Sequence, residues 1–270
     1  MSASRSAAAA ALIALCCMTA RAEEPSEQGP PVCESCGFGK TVVFDTREVF
    51  KAPVRWRKPD WRSVGIKAAV VVGSLTLLDE PVRDYVQDHK GSTTERIANA
   101  FEPFGAEYAL GALAGFAAFG TLAGKPAARN VALDGTVSSL IAAGLVVPAL
   151  KELTGRSRPN AGLGAHDFNP FSGAESFPSG HTAEAFALAA SIAQNYDQRW
   201  IKGLAYGVAG LVGYARVEHD AHWLSDVTAG AFIGIGVARE VSALHRARRA
   251  VVVTPLPVPS GWGVRVSAAF

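Results

Sequence analysis

No excess of charge of either sign marks this sequence: 26 Lys and Arg stand against 24 Asp and Glu over 270 residues. No basic stripe is interleaved with aromatics, which excludes a nucleic-acid binder of the usual electrostatic kind. Cysteine is nearly absent. Cys16 and Cys17 fall in an N-terminal apolar stretch, leaving Cys33 and Cys36 in CESC. A zinc site needs further ligands nearby, and a thioredoxin-like pair needs a strand and a helix around it. Neither is visible, so a local disulfide is expected. Internal repeats are lacking, as are low-complexity tracts beyond the N-terminal alanine run. Long uncharged runs are scarce too: Tyr108 to Gly124 and Gly135 to Leu150 just miss the usual bilayer-spanning length. A chain of this size can bury its core as one domain.

The N-terminus is more specific. Arg5 precedes an apolar stretch from Ala7 to Met18, and Ala20-Arg21-Ala22 supplies a small-x-small pattern. Residues 1–22 therefore read as a cleaved secretory signal; the alternative, a first membrane helix, has an apolar part short for a span and is followed by acidic, proline-rich sequence. Residues 23–64 form a polar arm. From Arg47 onward it carries Arg47, Lys51, Arg55, Arg57, Lys58, Arg62 and, just past it, Lys67, with Trp56 and Trp61. That mixture suits a membrane interface, and equally a solvated arm packing its tryptophans on the domain. GFGKT, residues 37–41, imitates the end of a phosphate-binding loop. Glu34 stands where that motif requires glycine, and no apolar strand leads in, so the match is set aside.

Apolar segments rich in Ala, Gly, Leu and Val lie near 65–79, 108–124, 131–151, 181–196, 200–217 and 223–244. They predict an all-α bundle of six helices over residues 65–246, punctuated at Pro81, Gly91, Pro103, Pro126 and between Pro159 and Pro178. Their small residues allow close helix contacts in lipid or in water. The tail, 247–270, changes character: β-branched runs flank a Pro/Gly turn region, which predicts a short hairpin. The terminal Phe270 hints at outer-membrane β-sequence, but one hairpin cannot close a barrel.

Three stretches carry chemistry: KELTGRSRP (151–159), FPSGH (177–181) and ARVEHDAHWLSD (215–226). Each begins or ends an apolar helix, so a bundle that aligns these ends gathers Lys151, Arg158, Ser179, Gly180, His181, Arg216, His222 and Asp226 at one mouth. Pro178 keeps the backbone before it out of helix, Ser179 can cap, and the amides near Gly180 are free at a helix start, where anions bind. Gly180 admits a ligand close to the backbone. Lys151, Arg158 and Arg216, with Arg156 near enough to assist, suit a phosphoryl group. His222 and Asp226, four apart, share a helix face, so the carboxylate can orient the imidazole as a nucleophile. A competing reading makes His219, His222 and Asp226 metal ligands, although no fourth ligand is evident. His89, His166 and His245 have no such company.

The pattern K-x6-RP, PSGH and R-x5-H-x3-D, in this order, resembles the type 2 phosphatidic acid phosphatase (PAP2) superfamily, which includes bacterial acid phosphatases and vanadium haloperoxidases. The resemblance covers residues 65–244. It departs from the family at Ala215, where the third motif usually opens with Ser; a local hydrogen bond is the expected loss. The resemblance implies that His222 attacks phosphorus, Asp226 orients it and His181 protonates the leaving oxygen. Lys151, Arg158, Arg216 and the Ser179-Gly180 turn would hold the phosphoryl oxygens. It implies no cofactor and no metal.

The expectation is a phosphatase that cleaves phosphate monoesters or diphosphates, with a phosphorylated lipid or a small phosphate ester as partner. The lipid preference rests on the apolar helices and the tryptophan-bearing arm. The active site is expected to face the periplasm, on a membrane-associated or integral protein. A soluble periplasmic acid phosphatase, a vanadium haloperoxidase and a non-enzymatic helical bundle remain as alternatives.

Overall fold

The computed structural model describes residues 37–258 and 261–268. The expected signal segment and the Cys33/Cys36 pair, with its expected disulfide, lie outside the described residues. Among the described residues the chain forms ten α-helices and one hairpin. The helices are α1 (Phe38–Arg55), α2 (Lys58–Gly73), α3 (Asp79–Asp88), α4 (Ser92–Phe101), α5 (Glu107–Leu122), α6 (Pro126–Ile141), α7 (Val147–Thr154), α8 (Gly180–Asn195), α9 (Arg199–Glu218) and α10 (Leu224–Ala250). Single π-helical turns, Ser74–Leu78 and Ala142–Val146, join α2 to α3 and α6 to α7. The hairpin pairs β1 (Val251–Val258) with β2 (Gly261–Ala268) in antiparallel register, Val251 opposite Ala268.

Each of the six apolar segments is helical. α1, α3 and α4 are added to them, and the part of the polar arm among the described residues, 37–64, is largely helical. The GFGKT stretch begins α1, with Gly37 at its N-cap. α8 lies at the centre, packed on α10, α9 and α6. Its alanines make this approach close. A Cβ on Gly230 of α10 would stand 2.5 Å from the Ser179 carbonyl oxygen, so only glycine lets the two backbones meet there. The main core joins Val137, Ile141, Val146 and Leu150 to Phe177, Ala183, Ile233 and Val237. This packing brings the C-terminal end of α7, the start of α8 and the start of α10 together.

Among the described residues three helical runs are long and apolar enough to cross a membrane: Lys58–Asp88, Pro126–Thr154 and Leu224–Arg249. Uncharged runs in the sequence fall short of this because they stop at each ionisable residue, whereas the helices continue through them. Asp134 and Asp226, which interrupt two of these runs, are fully buried among partners inside the bundle, where a charged group in such a helix belongs. Outward-facing apolar side chains such as Leu77, Leu110, Leu122, Trp200 and Leu204 are exposed, as expected of a surface that meets lipid.

Candidate active site

The three motifs meet through backbone and side-chain hydrogen bonds. Ser179 N donates to the Asp226 carbonyl at 3.0 Å, tying the PSGH turn to the start of α10. Trp223 Nε1 donates to the Ser157 carbonyl at 3.0 Å, and Asn160 N to the Asp220 carbonyl at 3.2 Å, tying the middle of the third motif to the end of the first. Gly155 ends α7 with φ of +51°, and a Cβ there would stand 1.7 Å from the Asn169 carbonyl oxygen. Only glycine permits that left-handed turn beneath the crossing strand of loop.

Ser179 caps α8 as its sequence position predicts: its Oγ accepts from Thr182 N at 3.5 Å and from Thr182 Oγ1 at 2.9 Å. The Phe177–Pro178 peptide is cis. Gly180 and His181 open the helix at the mouth, half-buried. The charges of Lys151 and Arg158 act on His181. Burial, seconded by those two cations and opposed by Glu107, holds the His181 imidazole below its ordinary pKa.

α9 ends at Glu218, and Asp220 then adopts φ of +54°. His222 N and Ala221 N both return to the Arg216 carbonyl at 3.1 Å. This tight reversal carries His222 back toward the mouth. Arg83 Nε and Nη2 hold the Asp220 carboxylate at 2.7 and 2.8 Å, fixing the turn from α3. The His222 side chain is buried, 2% exposed, with Nδ1 3.5 Å from Asp226 Oδ2. That separation is too long for a well-formed hydrogen bond, and Nδ1 has no other partner among the described residues. Burial is the main cause of a depressed His222 pKa. The Arg216 and Arg158 charges add to it, and Asp226 opposes it. The imidazole is thereby kept neutral near pH 7, the form a nucleophile requires.

Arg216 is buried and pairs with Glu102 of the short turn between α4 and α5. Its Nε is a buried donor without a hydrogen-bond partner among the described residues. Lys151, near the end of α7, lies 3.6 Å from Glu175. Two of the expected phosphate-binding cations thus face carboxylates on the loops at the mouth.

Arg156 departs from expectation. It is fully buried and turned away from the mouth, with Nη1 donating to Asp226 Oδ1 at 2.5 Å. Its motif spacing places it beside Arg158, but Arg156 Nε and Nη2 both donate to the Ala165 carbonyl, at 3.1 and 2.6 Å, which draws the guanidinium inward. Its guanidinium also lies over the rings of Phe168 and Trp223. Ser176 Oγ, which the sequence reading missed, donates to Asp226 Oδ2 at 2.6 Å. It stands just before the FPSGH stretch, where only the fold could reveal its role.

His219 does not join His222 around a common centre. Its Nδ1 lies 3.0 Å from Glu102 and its Nε2 3.0 Å from Asn99. Among the described residues no cluster of three or more His, Cys, Asp or Glu has the arrangement of a metal site. His245, which has no motif partner in sequence, acquires two by folding: its ring nitrogens meet Asp134 at 2.6 Å and Asp45 at 2.8 Å. It thus joins α10 to α6 and α1.

The bundle thus brings together a buried histidine facing a carboxylate, a second histidine at a capped helix start and several cations. Residues 135–250 match the PAP2 superfamily model. The chain is similar to a lipid A 1-phosphatase of Porphyromonas gingivalis, 39% identical over 94 residues, 34% of this chain and 19% of that protein. A lipid A 1-phosphatase of Rhizobium etli is 33% identical over 130 residues, 46% of this chain and 54% of that protein. The aligned stretch therefore spans between 19% and 54% of the length of these relatives. Among solved structures, the LpxE protein of Aquifex aeolicus aligns with TM-score 0.48 and 23% identity, covering 61% of this chain and 94% of that one. A transmembrane PAP2-type phosphatidylglycerolphosphate phosphatase of Bacillus subtilis aligns with TM-score 0.48 and 14% identity, covering 77% and 94%.

Proposed function

We propose that this protein is a membrane phosphatase that hydrolyses a phosphate monoester or diphosphate of a lipid, with its mouth facing the periplasm. The observation that carries the reading is the buried His222, backed by Asp226 and lying under the charges of Arg158 and Arg216. In this scheme His222 Nε2 attacks phosphorus as the bond to the leaving oxygen breaks. His181 gives that oxygen its proton. Lys151, Arg158, Arg216 and the amides of the Ser179-Gly180 turn receive the phosphoryl oxygens, whose charge spreads in the transition state. Asp226 holds Nδ1–H as the imidazole gains positive character. Water, deprotonated by His181, then attacks the phosphohistidine, releasing phosphate and restoring both histidines.

The lipid preference is supported by the three membrane-length helices and by relatives named as lipid A 1-phosphatases. The test is phosphate release from a panel of lipid A 1-phosphate, phosphatidate, phosphatidylglycerophosphate, undecaprenyl diphosphate and p-nitrophenyl phosphate. Preference for a lipid over p-nitrophenyl phosphate by orders of magnitude in kcat/KM is expected. Equal turnover of all five would move the reading to a nonspecific acid phosphatase. Reporter fusions in the loop at residues 160–177 test orientation, and a reporter active there only in the cytoplasm contradicts it.

A further inference from the structure

The contacts that begin at His222 do not end at Asp226. Asp226 Oδ2 accepts from Ser176 Oγ at 2.6 Å and from Trp223 N at 2.9 Å, and Oδ1 accepts from Arg156 Nη1 at 2.5 Å. Arg156 then reaches further inward, with Nη2 donating to Asp79 Oδ2 at 2.6 Å and Nη1 to Ser225 Oγ at 2.7 Å. Asp79 closes a ring, because its Oδ1 accepts from Ser225 N at 2.7 Å and its Oδ2 from Ser225 Oγ at 2.6 Å. Asp79, Arg156, Ser225 and Asp226 are all sealed from solvent. Asp79 stands where the π turn Ser74–Leu78 hands over to α3, and such turns are frequent at functional sites.

Every hydrogen bond that Asp79 receives comes from Arg156 or Ser225, and these donors favour its ionised form against the cost of burial. One guanidinium therefore serves two carboxylates. With both carboxylates ionised the ring of groups carries one negative charge more than Arg156 balances, sealed from solvent. Besides Arg156, His222 also acts on Asp226. Were Asp79 neutral, Arg156 would compensate Asp226 one for one, and little of its field would reach the imidazole.

We infer that Asp79 is a positioning residue for the reaction: through Arg156 and Ser225 it fixes the Asp226 carboxylate and keeps that charge available to His222 as phosphorus is attacked. The inference rests on the reading of His222 as nucleophile. It differs from simple structural glue in predicting an effect on turnover rather than on binding.

The experiment uses the full-length protein purified in detergent, with p-nitrophenyl phosphate as substrate. Asp79→Asn, nearly isosteric, should lower kcat by about 10- to 100-fold, the loss seen when outer partners of metal-binding histidines are removed, while KM stays within about twofold. The acid limb of kcat/KM should move to lower pH, because His222, faced by Asp226, Arg216 and Arg158, loses nearby negative charge. Ser225→Ala, which removes no charge, should lower kcat in the same direction with unchanged KM. Wild-type kcat and an unmoved acid limb in an Asp79→Asn protein that elutes as a single species and melts cooperatively overturn the inference. A loss confined to KM does the same. If Asp79→Asn does not fold, wild-type kcat in Ser225→Ala is decisive against it. Failure of the underlying reading is separable: it appears as a wild-type protein that forms no acid-labile phosphoenzyme, or as a His222→Ala protein that still does.

Discussion

Glu102 holds Arg216 by its guanidinium, and with its other carboxylate oxygen it meets His219 Nδ1 at 3.0 Å. A carboxylate from the turn before α5 thus occupies a cation expected to bind a phosphoryl oxygen. A phosphoryl oxygen that binds Arg216 would compete with it. Gly105, in the same turn, lies so close to His181 that a Cβ would stand 2.7 Å from the His181 carbonyl oxygen, so this turn is seated directly on the mouth.

Glu102→Gln is accordingly expected to tighten oxyanion binding. Removing a partly exposed charged partner worth about 1 kcal/mol corresponds to a roughly fivefold change. The inhibition constant for vanadate, a trigonal-bipyramidal mimic of phosphoryl transfer, should fall by that factor with kcat little altered. An unchanged constant would show that Glu102 does not compete with the ligand.

The two histidines should fail differently. His222→Ala is expected to be inactive on every substrate, because the nucleophile is needed to break any P–O bond. His181→Ala should lose about 10²–10⁴-fold on an alkyl phosphate and recover much of that on p-nitrophenyl phosphate, whose leaving group needs little protonation. Equal losses on both substrates in both variants would contradict the assigned roles.

The pH profile follows from the same pair. His222 must be neutral and His181 protonated in the free enzyme, and burial depresses both pKa values. Activity is lost as pH falls through the depressed His222 value and again as it rises through that of His181. The kcat/KM optimum should therefore lie on the acid side of the ordinary imidazole range, while the alkaline limb of kcat lies higher because bound phosphate favours protonated His181. In His181→Asn the alkaline limb of kcat/KM should vanish. Its persistence would assign that limb to another group.

Chelation should leave activity intact, since His219 is engaged by Glu102 and Asn99 and is not free to join His222 and Asp226 around a cation. Assay after EDTA dialysis, with and without added zinc, checks this. Loss restored by zinc would revive the metal reading.

Gly155→Ala tests the link between fold and site. A left-handed conformation costs a non-glycine residue about 1–2 kcal/mol, and the clash with the Asn169 carbonyl adds to that. The variant should melt at a clearly lower temperature and lose activity together, because loop 156–179 carries Arg158 and Ser179. A wild-type melting temperature would mean that the loop yields freely.

The sequence by itself determined the helical class, the order of the apolar segments, the hairpin-forming tail and the three motifs. These are local properties: periodicity, breakers, and the spacing that sets His222 and Asp226 on one helix face or lets Ser179 cap α8. Tertiary structure alone decided what each charge faces. Nothing in KELTGRSRP tells Arg156, buried against Asp226, from Arg158. Asp79, Ser176 and Glu102 carry no motif. The Asp134–His245–Asp45 contacts join residues 111 and 200 positions apart. Membrane length was hidden for the same reason. A buried ionisable residue interrupts an apolar run in sequence but not in the bundle, where partners from distant helices balance it and the helix continues.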